Sequence, residues 1–220
     1  MTPQEWQQSD SVRAMFDHLV RNRKNAPQKL RLLTAACCRL LWDRIPEGPC
    51  RKAVEVAERY AIEEASEVDL RSARRSIPRH RGRSLSAGCR ADITWLVEHA
   101  LYENSSTDMI CFDLAMVSIG SNRLDFLPAL IRDIFGPNPE EPVIFDPNWL
   151  TSDVVAMARG MFETNDFSAM PILADALQDA GCENEAILNH CRGDGPHVRG
   201  NWVVSGILGH DLDRGAERGR

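Results

Sequence analysis

Between Cys182 and Gly209 the chain reads CENEAILNHCRGDGPHVRGNWVVSGILG, and there the side chains able to do chemistry are densest. His190, Arg192, His197 and Arg199 crowd a turn that also holds Gly193, Gly195, Pro196 and Gly200. Glycine opens backbone angles closed to other residues. A helix restarting near Gly200 or Asn201 would present amide N–H groups and the positive end of its dipole. Beside Arg192, His197 and Arg199, such groups can receive a phosphate, a carboxylate or an acidic partner, although Asp194 opposes a strongly anionic ligand. The plainer reading is a tight helix–helix turn. Trp202 is then buried, and the arginines bond to helix-end carbonyls or to nearby acids. His190, Arg192, His197, Arg199 and Trp202 are the candidate binding residues.

The same stretch offers a weaker metal set in Cys182, His190, Cys191 and His197. Structural zinc wants four converging ligands, usually in pairs two to four residues apart. No C-x-x-C is present, and His190 and Cys191 are helical neighbours about 100° apart, so the expectation is no metal, with buried free thiols. A nucleophilic Cys191 is disfavoured too. It lies near a helix C-terminus, where the dipole opposes a thiolate.

Arginines form the second constellation. Arg71, Arg74, Arg75, Arg79, Arg81, Arg83 and Arg90 fall within twenty residues that contain no acid. A basic loop over 71–88 can contact nucleic-acid phosphates, but no aromatic residue lies between Arg71 and Arg90 to stack on bases. Residues 133–194 are the opposite, with twelve acids against two arginines. Asp175 and Asp179 share a helix face, and Glu163 and Asp166 flank a turn, but no base or phosphate loop accompanies them. G-x-G-x-x-G and G-x-x-x-x-G-K-[ST] are both absent.

The elements that must position these residues are helical throughout. Thr2-Pro3-Gln4-Glu5 is a capping box, and Val12, Met15, Phe16 and Leu19 share one face. Pro27 opens a helix to about Arg44 with Leu30, Leu33, Cys37, Leu40 and Leu41 on its stripe. Cys50–Ala65 forms the next, and further helices are expected from Arg90, from Ser105 or Ser106 to Ile119, and over Leu124–Phe135. GPNPEEPVIFDP at 136–147 breaks the pattern. Beyond it, Thr151, Asn165 or Asp166, Glu183 and Asn201 begin four more helices, and Gly181 closes one of them.

Several of these segments are distinctive: LRLLTAACCRLLW (30–42), RKAVEVAERYA (51–61), LIRDIFG (130–136), DPNWLTSDVVAMARGMF (146–162) and MPILADALQDAGCENEAILNHCRGDGPHVRGNWVVSGILG (170–209). Together they resemble a family of uncharacterised bacterial proteins, best known from planctomycete genomes. The resemblance covers both ends and leaves roughly residues 66–125 outside. It implies an accessory or regulatory role and no established reaction. The chain departs from the family pattern at Asn201, where a cysteine is common, and at Ser205-Gly206, where an acidic residue and a leucine usually stand.

The chain's 220 residues, 43% of them hydrophobic and 26% charged, suffice for a core without cross-links. Seven cysteines in no framework spacing suit a reducing compartment. No apolar run approaches the ~20 residues of a membrane span, and MTPQEWQQSD lacks the character of a secretory signal, so a cytoplasmic setting without membrane contact is expected. The expected architecture is all-α: two packed lobes of antiparallel helix pairs, at 1–135 and 148–209, joined by the Pro-rich 136–147 and followed by a flexible tail at 210–220. The expected function is a non-catalytic protein-interaction or regulatory module without a cofactor, binding another protein through the 190–202 turn. The alternatives are a nucleic-acid-binding regulator acting through 71–90, and a small-ligand or metal-dependent enzyme at 182–202. The oligomeric state is left open.

Overall fold

A computed structural model describes residues 1–21, 27–77, 93–101, 126–210 and 212. Among them the chain is all-α: eleven α-helices and two 3-10 turns, with no strand. None of these helices is long and apolar enough to cross a membrane. The expected helix over 105–119 and most of the tail fall outside the described residues.

The chain forms two compact units, Met1–Lys24 with Asp125–Asp211 and Asn25–Leu124 with Leu212–Arg220. This division differs from the boundary expected at 136–147. Contacts distant in sequence explain the difference. Trp6, fully buried, donates its indole N–H to the Gly136 carbonyl at 3.0 Å. Arg132 donates to the carbonyls of Trp6 and Ser9 at 3.3 and 2.8 Å. The first two helices, α1 (Pro3–Gln8) and α2 (Val12–Arg21), therefore belong with the C-terminal half.

In the second unit α3 (Pro27–Leu40) packs on α4 (Pro49–Ala61) and α6 (Ile93–Ala100), and α4 also packs on α5 (Glu67–Ser76). A buried ion pair ties α3 to α4: Arg39 meets Glu58 in a two-pronged contact at 2.8 and 2.7 Å, and Glu58 is 1% exposed. The basic stretch from Arg71, expected as a loop that could start helical, begins inside α5, which runs to Ser76. Ser66 and Asp69 close a capping box ahead of it, and the box sets helical geometry through Ser76.

The first unit holds α7 (Leu127–Phe135), α8 (Ser152–Thr164), α9 (Met170–Asp179), α10 (Glu185–Arg192) and α11 (Trp202–Leu208). α8 packs on α9 and α11, α9 on α10, and α7 on α2 and α11. The Pro-rich stretch 136–147 folds back on this group. Its Phe145 ring lies so close to Gly206 of α11 that a β-carbon there would stand 2.2 Å from Phe145 Cε2. Gly206 is thus kept for space, against its poor helix propensity.

Gly206→Ala should lower stability by about 1–3 kcal/mol, since the ring must be displaced. With Phe145 first changed to alanine, the same substitution should be neutral or stabilising, in line with alanine's better helix propensity. Chemical denaturation of the four proteins of this double-mutant cycle measures the coupling directly.

Candidate functional site

The 193–201 turn leaves α10 at Gly193, whose amide bonds back to the His190 carbonyl, and re-enters helix at Asn201. Gly195 has a φ of 84°, and a β-carbon there would stand 2.9 Å from the His197 amide nitrogen. Only glycine fits that corner. The Gly195–Pro196 peptide bond is cis.

At the centre of the turn lies a residue that sequence reasoning missed. Asp133, on the last turn of α7, is 2% exposed. Its Oδ1 is 2.9 Å from His197 Nδ1, 3.2 Å from His190 Nε2 and 2.6 Å from Asn201 Nδ2. Its Oδ2 accepts the Val198 backbone N–H at 3.0 Å. One buried carboxylate thus gathers side chains from α10, the turn and the start of α11. Asn201, fully buried, is divided between two tasks. Its Oδ1 accepts the N–H groups of Val203 and Val204 at 3.0 and 3.1 Å, capping α11. Its Nδ2 donates to Asp133 and, at 2.8 Å, faces His190 Nε2.

Hydrogen-bond roles follow from what each group can do. The Gly193 carbonyl, 3.2 Å from His197 Nε2, only accepts, and so does the Asp133 carboxylate at Nδ1. A His197 that serves both donates from both ring nitrogens and is an imidazolium. Its pKa is displaced accordingly. Burial alone would lower it, but the hydrogen bond and charge of Asp133, with the Gly193 carbonyl, outweigh burial and hold it above the ordinary histidine value. His190 Nε2 stands between Asn201 Nδ2 at 2.8 Å and Asp133 Oδ1 at 3.2 Å.

The other candidates are placed in distinct roles. Arg199 donates from Nε and Nη2 to the Phe162 carbonyl at 3.1 and 2.7 Å, and from Nη2 to the Glu163 carbonyl at 3.2 Å. It thereby closes the C-terminal end of α8. Arg192 reaches Asp175 at 3.0 Å and Gln178 at 2.7 Å on α9. Trp202 is buried against His190, with ring centroids 5.2 Å apart, and against Phe145 at 6.3 Å. The amide donors expected for an anion at the start of the last helix are already engaged by Asn201.

Cys182 and Cys191 are buried free thiols. Burial, reinforced by neighbouring Cys182 and Asp133, pushes the Cys191 thiol up to about 12, which leaves no thiolate for nucleophilic attack. Among the described residues, the side chains that could hold a metal together are Asp133, His190 and His197, with neither cysteine among them. Of the arginine run, Arg71, Arg74 and Arg75 lie on α5, where Arg71 pairs with Glu67. Arg79, Arg81 and Arg83 lie outside the described residues.

Beside the turn, an open depression of about 580 Å³ lies between α9 and α10. Glu183, Glu185, Gln178, Asn189 and Arg192 line it with polar groups, over a floor that includes Leu188. Glu183 and Glu185 in its lining are exposed, as are Asp175, Asp179 and Asp194 on the neighbouring stretches of chain.

The chain matches no family model, no curated protein and no solved structure.

The Asp133–His197 pair sets a pH dependence. Its contribution is fully present below the ordinary histidine value of 6.5 and is lost as pH rises through the higher folded value. In chelator-treated protein, unfolding free energy should therefore fall as pH rises above the ordinary histidine value of 6.5 and through the higher folded value, and His197→Gln should flatten that fall. Denaturant titrations of both proteins across this range measure it. Equal slopes would show that the pair does not couple to folding.

Proposed function

We propose that the chain is a non-catalytic binding module whose partner is a basic segment of another protein. The observation that carries this reading is the depression beside the 193–201 turn, with Glu183 and Glu185 at its wall on an acidic surface. A lysine or arginine side chain entering there meets carboxylates, while its aliphatic stem covers Leu188. Residues 133–194 carry twelve acids against two arginines, and one of those two, Arg192, is engaged by Asp175 and Gln178. Such a surface steers a cationic partner and repels nucleic acid.

The site itself supports the non-catalytic side of the reading. The histidines and arginines of the turn are committed to Asp133, to helix-end carbonyls and to α9. These are bonds that hold a shape for recognition. The accessory or regulatory role that the resemblance read from the sequence implies is in keeping with this proposal. We place the module in the reducing cytoplasm, a setting that suits Cys37, Cys38, Cys50, Cys182 and Cys191 as buried free thiols.

The test is comparative capture from cell extract by the wild-type protein and by a Glu183→Lys/Glu185→Lys variant. Both positions are exposed, so the fold should be retained. A partner held by the wild type should then be purified and titrated against both proteins. The charge reversal should weaken its binding roughly tenfold or more, with added salt weakening the wild-type complex. Equal capture by both proteins would refute the reading, as would a turnover activity abolished by His197→Ala in a folded protein.

A further inference from the structure

We propose that Asp133, His190 and His197 form a binding site for one divalent transition-metal ion of the zinc type, which fastens the 193–201 turn to α7. One ligand atom from each of Asp133, His190 and His197 lies within 4.8 Å of the other two, and Asp133 Oδ1 faces His197 Nδ1 and His190 Nε2. Two of the three separations are 2.9 and 3.2 Å. Ligand atoms about 2.0–2.1 Å from a tetrahedral zinc stand about 3.3 Å apart, so the three atoms are already close to a ligand set. Two imidazoles and a carboxylate suit Zn2+, Co2+ or Ni2+ better than Mg2+ or Ca2+, which favour all-oxygen surroundings.

The groups behind the ligands are arranged as a metal site needs them. Ligating histidines usually give their second ring N–H to a carbonyl or carboxylate, and His197 Nε2 faces the Gly193 carbonyl at 3.2 Å. The second carboxylate oxygen of Asp133 is fixed by the Val198 amide, leaving Oδ1 aimed between the rings. The ligands come from α7, α10 and the turn, and Asp133 is 2% exposed. An ion there replaces the proton that His197 Nδ1 shares with Asp133, and that proton leaves to solvent.

Asn201 marks the fourth corner. Its Nδ2 stands 2.6, 2.8 and 3.3 Å from the three ligand atoms. An amide N–H group cannot ligate a cation, so metal entry requires Nδ2 to turn away and give up its bond to His190. Residue 201 therefore tunes the site. A thiolate in its place would complete an Asp/His/His/Cys tetrahedron. This inference is independent of what the acidic surface binds.

The experiment uses the full chain, stripped with a chelator and dialysed. It is titrated with Zn2+ in a calorimeter and with Co2+ by visible absorption, at one pH above neutrality. The expected result is one ion per chain and a Co2+ spectrum of low-symmetry nitrogen and oxygen coordination. His190→Gln, which keeps a polar side chain of similar reach, should weaken binding at least tenfold with circular dichroism unchanged. Asn201→Cys should tighten binding and add a thiolate-to-cobalt band, while Cys182→Ser and Cys191→Ser should bind as the wild type does. The proposal fails if the wild-type chain takes up no stoichiometric Zn2+ or Co2+. It also fails if His190→Gln binds as tightly as wild type, or if either serine variant abolishes binding.

Discussion

A carboxylate buried to 2% exposure must be satisfied from inside the protein, because unpaired burial of its charge is costly. Asp133 is satisfied by the turn itself: a histidine ring nitrogen, the Asn201 amide and the Val198 backbone N–H, with a second histidine 3.2 Å away. These partners stand 65 or so residues further along the chain. The same bonds that settle the carboxylate therefore decide where the turn sits on α7, and the rest follows from that position. With Asn201 fixed, its free oxygen caps α11. With α11 in place, Trp202 packs on His190 and Gly206 receives the Phe145 ring.

Around this centre, side chains that look chemically available are engaged within the fold. Arg199 closes α8, and Arg192 links α10 to α9. The two cysteines near the turn are buried, with the Cys191 thiol pushed to about 12. Asp175, Asp179, Glu183, Glu185 and Asp194 face outward, and the recognition proposed above uses that surface. The metal proposal concerns the same centre and adds a cation to a carboxylate that already draws in histidines.

Much of the fold was legible because it rests on local rules. The Thr2–Glu5 capping box, the buried Leu30, Leu33 and Cys37 of α3, and the Gly181 and Asn201 boundaries all depend on residues within a few positions of one another, whereas Leu40, expected on the same stripe, is exposed. The start of α5 carried an equally local signal in Ser66 and Asp69, overshadowed by the arginines that follow. The division of the chain was not legible, since Trp6 bonding to Gly136 joins residues 130 apart. Asp133 was hidden for the same reason. On its own helix it is one acid at the edge of the apolar stripe of Leu127, Leu130, Ile131 and Ile134. Only its meeting with His190, His197 and Asn201 gives it a role. The turn stood out in the sequence for its density of chemically able side chains, but the group that holds it did not.

The central claim is that Asp133 holds the turn. Native-state hydrogen exchange on Asp133→Asn, a change of nearly equal shape, tests it most directly. The account predicts that the amides of Val198, Val203 and Val204 exchange at least about tenfold faster than in the wild type, for a local loss of ~1.4 kcal/mol or more. Amides within α9, which touches none of these groups, should keep their protection. Unchanged exchange at Val198, Val203 and Val204 in a folded variant would contradict the account.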